Sequence, residues 1–167
     1  MKRQLYCYDY LEAPLERIDA LLSAAPLALL RSATSVAANH GAEVLSRVHA
    51  SVGGFDIGRE VAIDVGEIER HEDHRVVLPL VWESARASAL FPQMDARLEV
   101  AELTAEPPLC QIMFFGSYEP PLGLVGAVGD TLALHRVAEA TAHHLLGDVT
   151  ARLRRELSGE QPAERPT

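Results

Sequence analysis

The sequence predicts an α+β fold, an antiparallel sheet covered by one long C-terminal helix. Three observations carry this. Runs of alternating apolar and polar residues recur between Glu43 and Tyr118, joined by short polar turns. Strands so closely spaced pair antiparallel. From about Val128 the apolar period changes from two to 3.6 and holds to Leu157, as an amphipathic helix requires. At roughly 30 residues that helix is about 45 Å long, so it needs something large to lie against.

The elements follow in order. Gln4–Leu11 reads as a strand, with Tyr6, Tyr8 and Tyr10 on one side and Leu5, Cys7 and Leu11 on the other. Ala13-Pro14 opens a helix, since proline suits the first helical turn, and Leu15, Ile18, Leu21 and Leu22 repeat at helical spacing. Pro26 starts a second short helix, stopped by Asn39-His40-Gly41. In Glu43–Val52 the apolar set is Val44, Val48, Ala50 and Val52; Val61, Ile63 and Val65 then alternate with Glu60 and Asp64. His71-Glu72-Asp73-His74 is a polar turn. Val76, Leu78, Leu80 and Trp82 form the inner side of the next strand, and Met94, Ala96, Leu98 and Val100 that of the one after. Leu109–Tyr118 is a strand by its branched and aromatic content, but Ile112 and Phe114 on one side are as apolar as Met113 and Phe115 on the other. Pro120, Pro121, Gly123 and Gly126 break regular structure before the helix. On that helix Val128, His135, Ala142, Leu146, Val149 and Leu153 share one face.

Composition bounds the function. The chain of 167 residues reads as a single domain over 1–157, with a polar, disordered tail over 158–167. A net charge of −9 with no basic stripe argues against nucleic acid as a partner. No apolar run is long enough for a membrane span, and Met1-Lys2-Arg3 leads into a strand pattern rather than a signal sequence. The expected location is the cytoplasm. Fourteen arginines stand against the single Lys2, which suggests a GC-rich coding bias. Cys7 and Cys110 are the only cysteines, and both read as reduced, buried, small hydrophobes.

The element order and the Pro-opened first helix (Ala13-Pro14-Leu15-Glu16-Arg17-Ile18) carry a resemblance, as does the stretch Gly116-Ser-Tyr-Glu-Pro-Pro-Leu-Gly leading into Leu134-His-Arg-Val-Ala-Glu-Ala-Thr. Over residues 3–157 the chain is similar to the START-related helix-grip superfamily, and the last stretch looks like uncharacterised bacterial members. That superfamily includes polyketide cyclases/dehydrases and lipid-transfer proteins. The resemblance implies a curved antiparallel sheet of six to seven strands wrapped around the long helix, two short helices after the first strand, and an apolar cavity between sheet and helix. Five strands are countable after the helix pair; a break at Gly58 or Gly66 would supply a sixth.

Trp82, Phe91, Met113, Phe115 and Tyr118 are candidates to line such a cavity, since pockets for small molecules are apolar walls with a few polar tips. Ordinary core packing is the competing reading for each. His135 and Glu139, four apart on the helix, can meet and project a polar pair toward a ligand; a histidine satisfied by its local carboxylate is the plainer alternative. His143 and His144 are adjacent, about 100° apart on a helix, and cannot chelate together. Gly123, Gly126 and Gly129 lack the spacing and the Lys-Ser/Thr of a phosphate loop. No nucleophile motif is present, and no metal or cofactor is called for. The expected function is binding of a hydrophobic or amphipathic small molecule, lipid- or polyketide-like. A polyketide cyclase/aromatase-like enzyme is the alternative. A non-catalytic interaction protein with a filled cavity is a third, and a homodimer is compatible with all three.

Overall fold

The computed structural model describes residues 2–26, 28–30, 61–84, 94–118 and 131–159, with 61–63, 82–84 and 131–137 described through the backbone alone. The elements are β1 (Arg3–Leu11), α1 (Leu15–Ala24), β2 (Val61–Val65), β3 (Glu69–His71), β4 (Arg75–Ser84), β5 (Met94–Ala105), β6 (Pro108–Tyr118) and α2 (Thr131–Leu157). Every strand pair is antiparallel, and the order is β1-β6-β5-β4-β2, with β3 beside β2 on the same flank of β4. This is the expected α+β class. The second short helix begins at Pro26 and includes residues 28–30. Its remainder, the strand expected over 43–52, the glycine-rich joint at 119–130 and the tail beyond 159 lie outside the described residues.

Of the two breaks expected, at Gly58 or Gly66, the one at Gly66 falls within the described residues and separates β3 from β2. The Gly66 N–H donates to the Pro79 carbonyl at 2.9 Å. In an antiparallel strand a residue's N–H and C=O point the same way. The donor that Pro79 lacks would therefore have faced this point, and the ladder breaks here. β2 pairs with β4 up to Val65↔Leu80, and β3 resumes at Glu69↔Val77. A side chain at Gly66 would place its Cβ 3.0 Å from Pro79 Cβ, so the crossing is built for glycine.

Alternation gives the sheet two unlike faces. Leu5, Cys7 and Leu11 of β1 join Val76, Leu78 and Leu80 of β4, Leu98 and Val100 of β5, and Ile112 and Phe114 of β6 in one core. Ile18 and Leu22 of α1 and Leu145, Leu146, Val149 and Leu153 of α2 close it from above. Each such side chain contributes about 1.5–3 kcal/mol on burial. The helix face read from the sequence is the buried one at Ala142, Leu146, Val149 and Leu153.

α2 packs chiefly along β1, and a polar cluster fixes it there. Asp9 Oδ2 accepts from the Thr150 hydroxyl at 2.8 Å and from Arg154 Nη2 at 3.0 Å, while Oδ1 accepts the Tyr10 N–H at 2.8 Å. Arg154 Nη2 also donates to the Tyr10 carbonyl at 2.7 Å. Burial raises the Asp9 pKa, but these three donors outweigh it and hold the carboxyl below its ordinary value.

Both the core and the polar cluster can be tested by substitution. Phe114→Ala and Leu153→Ala, both at positions 0% exposed, should each lower the unfolding free energy by about 2–5 kcal/mol in urea titrations. Because the folded pKa of Asp9 is depressed, its contribution is present above the unfolded value of about 3.9 and lost as pH falls through the folded value. Asp9→Asn should therefore be less stable than wild type at neutral pH by thermal melting. That deficit should shrink below about pH 3.9.

Candidate ligand sites on the two faces of the sheet

The first site is the seam between sheet and α2. Along most of its described length it is filled. Leu145, Leu146, Val149 and Leu153 meet Leu5, Leu11 and Phe114, none more than 4% exposed. The described part of the seam ends at Tyr118. In register, Tyr118 stands between Arg3 of β1 and Met94 of β5, and Met94 in turn faces Trp82 of β4. Tyr118 is 2% exposed. Burial pushes its phenol pKa up, Arg3 pulls it down and Glu139 adds to the rise. Those influences place Arg3 and Glu139 near the phenol. Glu139 is on the exposed side of α2, and both Tyr118 and Glu139 are engaged within the chain. His135 lies one turn earlier on α2; its side chain and that of Trp82 lie outside the described residues, as does the whole of Phe91.

Met113 and Phe115 stand on the opposite face. The even residues of β6 point to α2, so Cys110, Ile112, Phe114 and Tyr118 enter the core and Met113 and Phe115 turn away from the seam. The ambiguity of that strand had a signal in Gly116. A Cβ there would sit 2.6 Å from Met94 Sδ, so the small residue marks the row that faces the packed interior.

The second site lies on that outer face. A groove of about 720 Å³ runs across five strands, walled by Tyr6, Phe115 and Arg97, with Gln4, Glu69, Asp95 and Ser117 supplying polar groups. The Arg97 guanidinium lies over the Phe115 ring, 4.1 Å from its centroid, a cation–π contact. The Tyr6 ring is 4.9 Å from that of Phe115. Glu99, 7% exposed, is held between Arg75 Nη1 at 3.0 Å and Arg97 Nε at 3.4 Å. Sequence reasoning placed the three tyrosines of β1 on one side but did not foresee the groove, because Tyr6 reaches Phe115 only through the pairing of β1 with β6.

Other candidate residues resolve simply. The turn at Glu72–His74 is exposed, with His74 Nδ1 3.3 Å from Glu102 Oε2. Among the described residues no three His, Cys, Asp or Glu side chains cluster as a metal site. No helix among them is long and apolar enough to cross a membrane. Cys7 and Cys110 are free and buried. Burial pushes both thiols up to about 11, with Glu102 and Glu16 adding to it at Cys110. Cys110 Sγ donates to the Ala13 carbonyl at 3.3 Å.

No protein-family model matches the chain, and none of the curated proteins compared with it does. Among solved structures it is similar to a hypothetical protein from Helicobacter pylori, at 10% identity and a TM-score of 0.48, over 91% of this chain and 88% of that one. It is also similar to the ZhuI aromatase/cyclase from Streptomyces sp. R1128, at 14% identity and a TM-score of 0.40, over 94% and 96% of the two chains. A Thermus thermophilus protein gives 13% identity and a TM-score of 0.39, over 95% and 100%. The class of the chain, an α+β domain with an antiparallel sheet and a long C-terminal helix, rests on its own strand order.

The two thiols should be inert in the folded protein. Only the thiolate reacts, and little of it exists near neutral pH at such a pKa. A maleimide at pH 7.5 should leave both cysteines unlabelled in the native protein and label both in denaturant, read by intact mass.

Proposed function

We propose that the chain is a binding protein holding a small amphipathic molecule at the Tyr118 end of the seam. The observation that carries this is Tyr118 itself. It is a buried phenol at the end of the described seam, with its pKa pushed up by burial. A phenol so raised is protonated at neutral pH and can donate a hydrogen bond to a ligand's carbonyl or hydroxyl oxygen in exchange for its engagement within the chain. Met94 and Phe114 give that end apolar walls; Trp82 and Phe91 would extend them, and His135 and Glu139 would add polar groups. Most of the affinity would come from apolar burial, at about 25 cal/mol per Å², with the phenol setting orientation. Lipid- or polyketide-like molecules carrying an oxygen function match that chemistry. A cyclase/aromatase-like reaction asks in addition for a base to enolise the substrate. Protonated Tyr118 is in the wrong state for that task, which leaves His135 as its candidate.

A second reading has its own observation. The outer groove is a described cavity that contains Phe115, one of the residues expected to line a pocket.

Native mass spectrometry of the purified protein, followed by extraction of anything bound, tests both. A co-purifying mass should be found, and Tyr118→Phe should weaken its binding about 2- to 10-fold, as loss of one hydrogen bond does. Phe115→Ala should leave it unchanged. If Phe115→Ala weakens binding and Tyr118→Phe does not, the ligand sits in the outer groove. A clean apo mass across fatty acids, sterols and aromatic polyketides would sink both readings. Turnover of a polyketone that His135→Ala abolishes would establish the enzyme instead.

A further inference from the structure

Among the described residues β1 is an edge strand, hydrogen-bonded to β6 on one side only. The direction of its backbone can be read from Tyr10. The Tyr10 N–H donates to the Asp9 carboxylate and its carbonyl accepts from Arg154. Both groups therefore point away from β6, toward the open edge. Direction alternates along a strand, so Gln4, Tyr6 and Tyr8 also present their N–H and C=O to that edge. Among the described residues nothing caps them. The edge carries no proline or bulge between Arg3 and Leu11, the usual devices that blunt one. Among the described residues its one plug is the Asp9–Arg154 pair at Tyr10.

We propose that this edge pairs with a second copy of the chain, antiparallel, about a two-fold axis at Tyr6. The free set Gln4, Tyr6 and Tyr8 is symmetric about Tyr6. Setting Tyr6 against Tyr6 pairs Gln4 of each copy with Tyr8 of the other and uses every uncapped group. A register shifted to set Gln4 against Tyr10 collides with the plug. The Tyr6-centred register also sets Arg3 of each copy opposite Asp9 of the other, a match of opposite charges. On the outer face the exposed Tyr6 and Tyr8 rings, each 52% exposed, would pack across the axis, and tyrosine is enriched in such interfaces.

The helix leaves room for this. α2 lies along β1, so two helices come side by side when the edges join. The side of α2 that bears Arg154, next to the open edge, also carries Ala140, Gly147 and Ala151. A side chain at Gly147 would meet nothing within 4 Å. An exposed mid-helix glycine is unfavourable relative to alanine, and nothing described within the chain requires it. A neighbouring helix at close range would.

The edge lies outside the seam, so dimerisation there does not depend on ligand binding. The test is sedimentation equilibrium of the full chain across micromolar concentrations, with circular dichroism to confirm folding. Wild type should sediment as a dimer. Tyr6→Pro removes an edge-facing N–H, a position where proline is tolerated, and should give a folded monomer. Gly147→Arg should do the same without touching β1. Under mild oxidation Tyr6→Cys should form an inter-chain disulfide, its Cα atoms lying about 5.5 Å apart across the axis. Tyr8→Cys should not, because its two copies are about 14 Å apart. A monomer at every concentration overturns the proposal, including the case where residues 43–52 of the same chain take the edge and Tyr6→Pro lowers its stability. A dimer that survives both Tyr6→Pro and Gly147→Arg, or that cross-links as readily through Tyr8→Cys, overturns it too.

Discussion

The attachment of α2 to β1 through Asp9 is the constraint from which most of the architecture follows. A carboxylate near the edge of the sheet gathers a backbone N–H, a hydroxyl and a guanidinium. Charge-assisted hydrogen bonds of this kind are directional and stronger than neutral ones. With Thr150 and Arg154 tied to β1, the apolar side of α2 is turned onto Leu5, Cys7 and Leu11. The helix end is then held in turn, since the Leu157 carbonyl accepts from Arg17 Nη2 of α1 at 2.9 Å.

Arginine is the recurrent tie. Arg70 grips Asp19 of α1 through two bonds, at 2.7 and 2.9 Å, and fastens the short β3 to the helix layer. Arg152 reaches the Ala28 carbonyl at 3.3 Å, and Arg75 and Arg97 share Glu99. A planar fork of donors can hold two acceptors at once, which an ammonium does less well. The arginine excess reads from the sequence alone as a coding bias, and it has this structural use as well.

Local pattern was enough for much of this fold. The inner rows of β4 and β5 were legible because Arg75, Pro79, Asp95, Arg97 and Glu99 mark the other side. Ala142, Leu146, Val149 and Leu153 were legible because the 3.6 period is sustained. Both cysteines were legible as buried thiols. β6 was not, because it is apolar on both sides and its phase is set by partners remote in sequence. Met113 and Phe115 turned outward for that reason: their β1 partners are Tyr8 and Tyr6, whose rings take the outer face. Of the residues expected to line a cavity, Tyr118 is buried and engaged within the chain. The sequence contained no signal for the groove, which exists only once Tyr6, Arg97 and Phe115 stand on adjacent strands.

The pairing of β1 with β6 has a consequence for how the protein is made. Arg3 finds its ladder partner at Tyr118, more than a hundred residues later in the chain. At ribosomal rates of about 5–20 residues per second, the first strand waits roughly 6–23 s before its partner exists. During that interval Leu5-Tyr-Cys-Tyr8 is an uncharged, strand-prone segment of the kind that recruits neighbours. Lys2 and Arg3 before it and Asp9 after it are charges in the gatekeeper position. Asp9 thus guards the nascent strand before it comes to hold the helix.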